Sequence, residues 1–166
     1  PLTDPETMVA IAEMYYGQGF GTIRIKLGKS ASLDADIIER IREKLGSTIR
    51  LRVDYNQAYQ PPEAVRAIKA IERFNIDFAE QPVRADDYMG MAYVQERVDT
   101  PLMAHEGCFS LQDLVTLVDL KAIGVVGINS ERPGGVTSAL KAIDFAEQMG
   151  MPAVLHNQPL GVSSAM

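Results

Sequence analysis

Ile76-Asp77-Phe78-Ala79-Glu80-Gln81-Pro82 reads as a short apolar strand that ends in a carboxylate and is stopped by a proline. Counting 26 residues back from Glu80 gives Asp54, which closes the run from Ile49 to Val53, and counting 26 forward gives Glu106, just past Pro101 to His105. A period of that length holds one strand, one loop and one helix, so the three acids fall at equivalent places on consecutive βα units. Residues at strand ends along one rim of a parallel sheet can converge on a single ion.

The same alternation extends outward in both directions. Upstream, Thr3-Asp4-Pro5-Glu6 starts a helix that Gly17 and Gly19 end, and Thr22 to Leu27 alternates as a strand with Arg24 and Lys26 on one face. Asp34 to Leu45 places Ile37, Ile38, Ile41 and Leu45 on one helical face before Gly46. Ile49 to Val53 forms the next strand and delivers Asp54 and Asn56, and Pro61-Pro62 opens the helix after it. Downstream of Glu80, a weaker helix spans Asp86 to Glu96, a strand Pro101 to Ala104 delivers His105 and Glu106, and Ser110 with Asp113 caps a further helix. Gly124 to Ile128 is a fifth strand ending at Asn129. Gly134-Gly135 turns the chain into a helix that Thr137 caps, and Pro152 to Leu155 is a sixth strand delivering His156.

Strict βα alternation implies a parallel sheet covered by helices, and polar residues at six successive strand ends favour a (β/α)8 TIM-type barrel over an open sheet, which gathers its ligand at one switch point. Six units are fewer than eight, and an unclosed barrel exposes two strand edges, so residues 1–166 are expected to be one partial barrel domain from the middle of a larger protein.

Composition narrows the function. The chain is 46% hydrophobic and 23% charged, ordinary for a globular domain, and its net charge of −6 without a dense Lys/Arg cluster argues against nucleic acid as a partner. No apolar run reaches the length of a membrane span, and the N-terminus lacks the pattern of a signal peptide. The single cysteine, Cys108, excludes an internal disulfide framework; it fits a small core residue in a reducing compartment, and a cytoplasmic protein is expected.

Asp54, Glu80 and Glu106 suit a hard, oxygen-loving cation, Mg2+ before Mn2+. Lys26, at a strand end beside a cation, has the placement of a base, and His156 comes round a closing barrel to the opposite side of the mouth with a group suited to proton transfer. His105, next to Glu106, points to the other face if its strand stays regular.

These residues resemble the barrel domain of the enolase superfamily, in its mandelate racemase and muconate lactonizing branch, over nearly the whole chain. Arg24-Ile25-Lys26 is similar to the Lys-x-Lys motif, Val53-Asp54-Tyr55-Asn56 and Ala79-Glu80-Gln81-Pro82 to the first two metal-ligand motifs, and His105-Glu106-Gly107 to the third. Arg132 to Thr137 resembles the Gly-Gly-Val-Thr turn, and Pro152 to His156 the strand that carries a catalytic histidine. The resemblance implies Mg2+ on a small carboxylate substrate, removal of its α-proton and an enediolate intermediate, a pattern already described for this superfamily. It further implies an N-terminal capping domain and a last barrel strand, both absent here, and a homo-oligomeric full-length protein. Catalytic roles fall to Lys26, His156 and Asn129, metal binding to Asp54, Glu80 and Glu106, and substrate binding to Arg24, Asn56 and His105.

The chain departs from the pattern at three places. Asn129 stands where the branch has an Asp that pairs with the histidine or a catalytic Lys, Arg24 replaces the first Lys, and His105 replaces Gly or Asp. A histidine without its carboxylate serves better as acid than as base, so dehydration of a sugar acid is the leading expectation, with Lys26 taking the α-proton and His156 assisting departure of the β-hydroxyl. Racemisation or epimerisation and cycloisomerisation are the alternatives, and a degenerate, non-catalytic binding relative is the reading from another class.

Overall fold

The computed structural model describes residues 4–129 and 131–156. Helix α1 (Pro5–Gly17) leads into β1 (Thr22–Lys26), α2 (Ala31–Leu45), β2 (Arg50–Asp54), α3 (Pro61–Glu72) and β3 (Ile76–Glu80). The alternation continues through α4 (Tyr88–Gln95), β4 (Leu102–Ala104), α5 (Leu111–Asp119), β5 (Val125–Ile128), α6 (Val136–Gln148) and β6 (Ala153–Leu155). The six strands form one sheet in the order β1-β2-β3-β4-β5-β6, every neighbouring pair parallel.

This sheet is curled. Six flat strands about 4.8 Å apart put the outer two roughly 24 Å from each other. Yet Arg24 on β1 touches His156, just past β6, with Nη1 to Nε2 at 2.5 Å. Two apolar layers follow from the curl. Outside it, Ile37, Ile38 and Ile41 of α2 and Ala64, Ala67, Ile68 and Ile71 of α3 are buried against Leu51, Val53 and Ala79 of the strands. Inside it, Phe78, Met103 and Val125 make a separate small core with Val154 against them, a stacked set from four consecutive strands as in the filled interior of a barrel.

Local chemistry explains where the elements begin, and it corrects several boundaries. Asp4 caps α1 by accepting the Thr7 N–H at 2.9 Å; Thr3, with which the sequence reading starts this helix, lies outside the described residues. Helix α2 starts at Ala31 rather than Asp34, because Ser30 accepts the Leu33 N–H. Asp34 therefore sits buried inside the first turn, where its carboxylate accepts the Gly28 N–H at 3.0 Å and the Tyr59 hydroxyl at 2.6 Å. Helix α4 is shorter than the sequence suggests, opening when Asp87 accepts the Gly90 N–H. For α6 the cap is Gly135 at φ 105°, a left-handed conformation, so Thr137 lies within the helix and not at its start. Ser110 and Asp113 do cap α5, each side chain reaching a backbone N–H of the other's end of the turn.

Candidate active site

The strands deliver their polar residues to one rim. Lys26, Asp54 and Glu80 close β1, β2 and β3; His105 and Glu106 follow β4, Asn129 follows β5 and His156 follows β6. Register aligns the first three, Lys26 beside Asp54 and Asp54 beside Glu80, so their side chains rise at the same level. The apolar residues below them bury the strand ends, leaving Asp54 and Glu80 almost wholly out of water.

Asp54 is fully engaged. Its Oδ2 accepts from Lys26 Nζ at 2.5 Å and lies 3.5 Å from Arg24 Nη1, and its Oδ1 accepts the Asn56 N–H at 3.0 Å. Burial and the neighbouring Glu80 raise the Asp54 carboxyl above its ordinary value, with Lys26 working against them. Asn56, in the left-handed region at φ 43°, bridges two groups: its Oδ1 accepts from Lys26 and its Nδ2 donates to Glu106 Oε1 at 2.9 Å.

Glu80 is placed differently. Its Oε2 accepts from Arg24 Nη1 at 2.7 Å, while Oε1 lies 3.2 Å from His105 Nδ1 and 3.4 Å from His156 Nε2. Oε1 is buried, and at these distances it faces the two imidazoles and no other polar group. Burial alone would raise the Glu80 carboxyl, but the two imidazoles and the Arg24 guanidinium outweigh it and hold the group well below the usual carboxylate range. Glu106 Oε2 and His105 Nε2 are also buried and unpartnered, and Glu106 Oε2 lies 3.7 Å from His105 Nδ1.

Such orphaned atoms gathered at one point are what a divalent cation would satisfy. Glu80 and Glu106 offer free carboxylate oxygens to it, whereas both oxygens of Asp54 already have partners. Among the described residues, the group whose ligand atoms all lie within 4.8 Å of one another is Glu80, His105 and His156. The expected trio of acids is therefore present at the rim, but the tightest convergence is one carboxylate with two imidazoles.

The side chain of His105 does not turn away. Met103, two residues earlier, packs in the inner core, so His105 belongs to the same inner face and meets Glu80 and the ring of His156 at a centroid distance of 3.8 Å. Glu106 reaches the site as well because β4 has ended at Ala104 and the chain is turning. Asn129 is buried, and its Oδ1 accepts the Arg132 N–H at 2.8 Å, which fixes the turn after β5; among the described residues no hydrogen bond joins it to His156.

Two residues do supporting work that the sequence did not advertise. Gln81, buried at φ 38°, accepts the N–H groups of His105 and Gly107 at 3.1 and 3.0 Å and donates to the Val83 carbonyl, holding the segment that carries His105 and Glu106. Arg132 donates to the His105 carbonyl and lies over the Phe109 ring, tying the loop after β5 to the loop after β4. Cys108 is a buried thiol whose burial pushes it up to about 12, in keeping with a core role.

A cavity of about 330 Å3 opens on the inner side of the curl between Arg24, Arg52, Phe78, Glu80, Val154 and His156. A larger groove of about 950 Å3 lies among the helices on the outside, along Pro61, Met89 and Tyr93, and none of the rim residues lines it. Arg24, Glu80 and His156 line the smaller one. No helix among the described residues is long and apolar enough to cross a membrane.

Comparison with known proteins agrees with this geometry. The family described as "Enolase C-terminal domain-like" matches residues 7–166. Hydrophobic dipeptide epimerase of Enterococcus faecalis is 36% identical over 154 residues, covering 93% of this chain and 44% of its own. L-Ala-D/L-Glu epimerase of Bacillus subtilis is 35% identical over 170 residues, covering 99% and 46%. The dipeptide epimerase of Cytophaga hutchinsonii, solved with Mg and the dipeptide D-Ala-L-Val, superposes with a TM-score of 0.90 at 32% identity, over 93% of this chain and 42% of that one. Arabinonate dehydratase of Saccharolobus solfataricus is more distant, at 28% identity. Sugar-acid dehydration is thus not the best supported expectation; the nearer relatives are epimerases. The chain spans less than half the length of these relatives. With six parallel strands curled under helices, polar residues at each strand end and a family match over nearly its whole length, the chain belongs to the enolase superfamily, in the mandelate racemase and muconate lactonizing branch.

Proposed function

We propose that this chain forms the catalytic barrel of a cation-dependent racemase or epimerase that inverts the carbon next to a carboxylate in a dipeptide or N-acyl amino acid. The observation that carries the reading is the contact between Arg24 and His156. Arginine only donates, so in this contact His156 Nε2 is the acceptor. A ring nitrogen in that position is placed to take up a proton from a substrate carbon once Arg24 turns to the substrate.

Inversion requires a proton to leave one face of the carbon and another to arrive at the opposite face. Lys26 on β1 and His156 after β6 stand at the two ends of the curled sheet with Asp54 and Glu80 between them, which supplies one proton-transfer group for each face. Arg24, partly exposed at the mouth, offers its guanidinium to the substrate carboxylate and so leaves His156 free to take up a proton. A divalent cation such as Mg2+, or Mn2+ in its place, would be held by Glu80 and Glu106 with Asp54 alongside, and when bound it polarises the substrate carboxylate and lowers the cost of charge that develops on it. The inner cavity beside these groups, lined by Arg24, Glu80 and His156, gives room for a small substrate.

The test is α-proton exchange in deuterium oxide, with the full chain, Mg2+ and a panel of L,L and L,D dipeptides and N-acyl amino acids. Deuterium at the α-carbon together with both epimers is the expected result. Formation of a 2-keto acid from a sugar acid, without inversion of any amino-acid derivative, would overturn it.

A further inference from the structure

We infer that Asp34, in the first turn of α2, is a positioning residue that holds Lys26 on its own side of the reacting carbon. The inference rests on the reading of Lys26 as one of two proton-transfer groups, and it concerns what fixes the geometry of that lysine.

Asp34 has no part in the strand-end cluster, yet it is wholly buried, an expensive place for a carboxylate unless donors surround it. Those donors come from two loops at once. Its Oδ1 accepts the Gly28 N–H at 3.0 Å, two residues after Lys26, and its Oδ2 accepts the Tyr59 hydroxyl at 2.6 Å, three residues after Asn56. Burial raises the Asp34 carboxyl above its ordinary value, with Tyr59 and the backbone N–H groups of Gly28 and Lys29 working against it. The helix itself does not need this carboxylate to begin, because Ser30 already caps α2 through the Leu33 N–H.

Both loops meet again at Lys26, whose ammonium lies between Asp54 Oδ2 and Asn56 Oδ1, each at 2.5 Å. On the lysine's side, the Leu27 N–H pairs with the Asp54 carbonyl at 2.9 Å, and Asp34 receives the next N–H as the chain leaves the sheet at Gly28. On the acceptor's side, Asn56 and Gln57 take left-handed backbone at φ 43° and 67°, a costly pair that its surroundings must hold. Tyr59 closes that loop, its N–H donating to the Pro82 carbonyl at 3.0 Å and its hydroxyl to Asp34. One carboxylate therefore anchors both the backbone that carries the lysine and the loop that carries its acceptor.

Two readouts on the full chain test this. The first is α-proton exchange in deuterium oxide with Mg2+, started from each pure epimer of a dipeptide from the panel above. Asp34→Ala should slow exchange about tenfold or more for the epimer whose exchange Lys26→Ala removes and leave the other within about twofold, since a displacement near 1 Å costs up to about 10^2 in rate. Asp34→Asn, which keeps an oxygen for the Gly28 N–H, should recover most of that rate, and Tyr59→Phe should slow the same epimer about threefold. The second readout needs no turnover: in crystal structures, Lys26 Nζ should leave Asn56 Oδ1 in Asp34→Ala and stay on it in the wild type. Equal loss for both epimers in a variant that circular dichroism shows to be folded, or Lys26 still seated on Asp54 and Asn56 in Asp34→Ala, would overturn the inference. If Asp34→Ala does not fold, Tyr59→Phe carries both readouts, and the same two results overturn it. A wild type that exchanges no member of the panel would sink the epimerase reading, and the place of Lys26 in the variant then decides this inference by itself.

Discussion

At the scale of single residues, the site sets ion pairs, Lys26 with Asp54 and Arg24 with Glu80, beside carboxylate and imidazole atoms left without a hydrogen-bond partner. Lys26 and His156 occupy opposite ends of the curl, so removing either leaves the other to attack its own face of the carbon. Lys26→Ala is expected to lower inversion by about 10^2 to 10^4, the usual worth of a positioned base, while α-exchange persists for one epimer; His156→Gln is expected to spare exchange of the other epimer. Proton NMR in deuterium oxide, started from each pure epimer, checks this, and loss of exchange for both in a single variant would contradict two-sided transfer. Glu80 gives a prediction about stability. Its carboxyl ionises well below the ordinary 4.5 because the imidazoles of His105 and His156 and the Arg24 guanidinium outweigh burial. As pH falls through that ordinary value the unfolded chain takes up a proton before the folded one, so stability present above about pH 4.5 is lost below it. Urea midpoints of the metal-free chain between pH 3 and 6 should therefore drop more steeply for wild type than for Glu80→Gln.

At the scale of elements, the loops after the strands set the side-chain directions, and Gly28 shows how narrowly. It sits just past β1 at φ 116°, and a Cβ there would come within 2.5 Å of the Ala58 Cβ and 3.2 Å of the Tyr55 carbonyl. Gly28→Ala should cost about 1–3 kcal/mol from the backbone conformation, before the clash adds to it, and should loosen Lys26 two residues earlier; a fall in the urea midpoint with weaker α-exchange is the expected readout. Much of this level was legible in the sequence. Apolar runs ending in acids at one spacing located the strands and their rim, and Gly46, Pro61 and Ser110 marked helix ends through chemistry that acts within four residues, whereas the Ser30 cap was missed. His105 was misplaced because its facing was judged from Glu106, which lies beyond the strand, rather than from Met103, which lies within it. Gln81 escaped notice since a glutamine before proline looks like an ordinary turn; its work depends on two N–H groups from the next βα unit. The contact of Arg24 with His156, 132 positions apart, depends on the curvature of the whole sheet, and no local pattern encodes it.

At the scale of the molecule, the order of the strands in space repeats their order in the chain. Each βα unit can therefore dock on the one made before it, and a chain emerging from the ribosome can build its sheet from β1 onward without waiting for distant partners. The cation cluster follows another schedule. Glu80 arrives with β3 and His105 with β4, but His156 comes only after β6, so the last strand completes a ligand set whose first member was in place 76 residues earlier. For the cation centre proposed above, a sheet made only through β3 would offer a single carboxylate already held by Arg24, and the full set of groups stands together once the sixth strand is laid down.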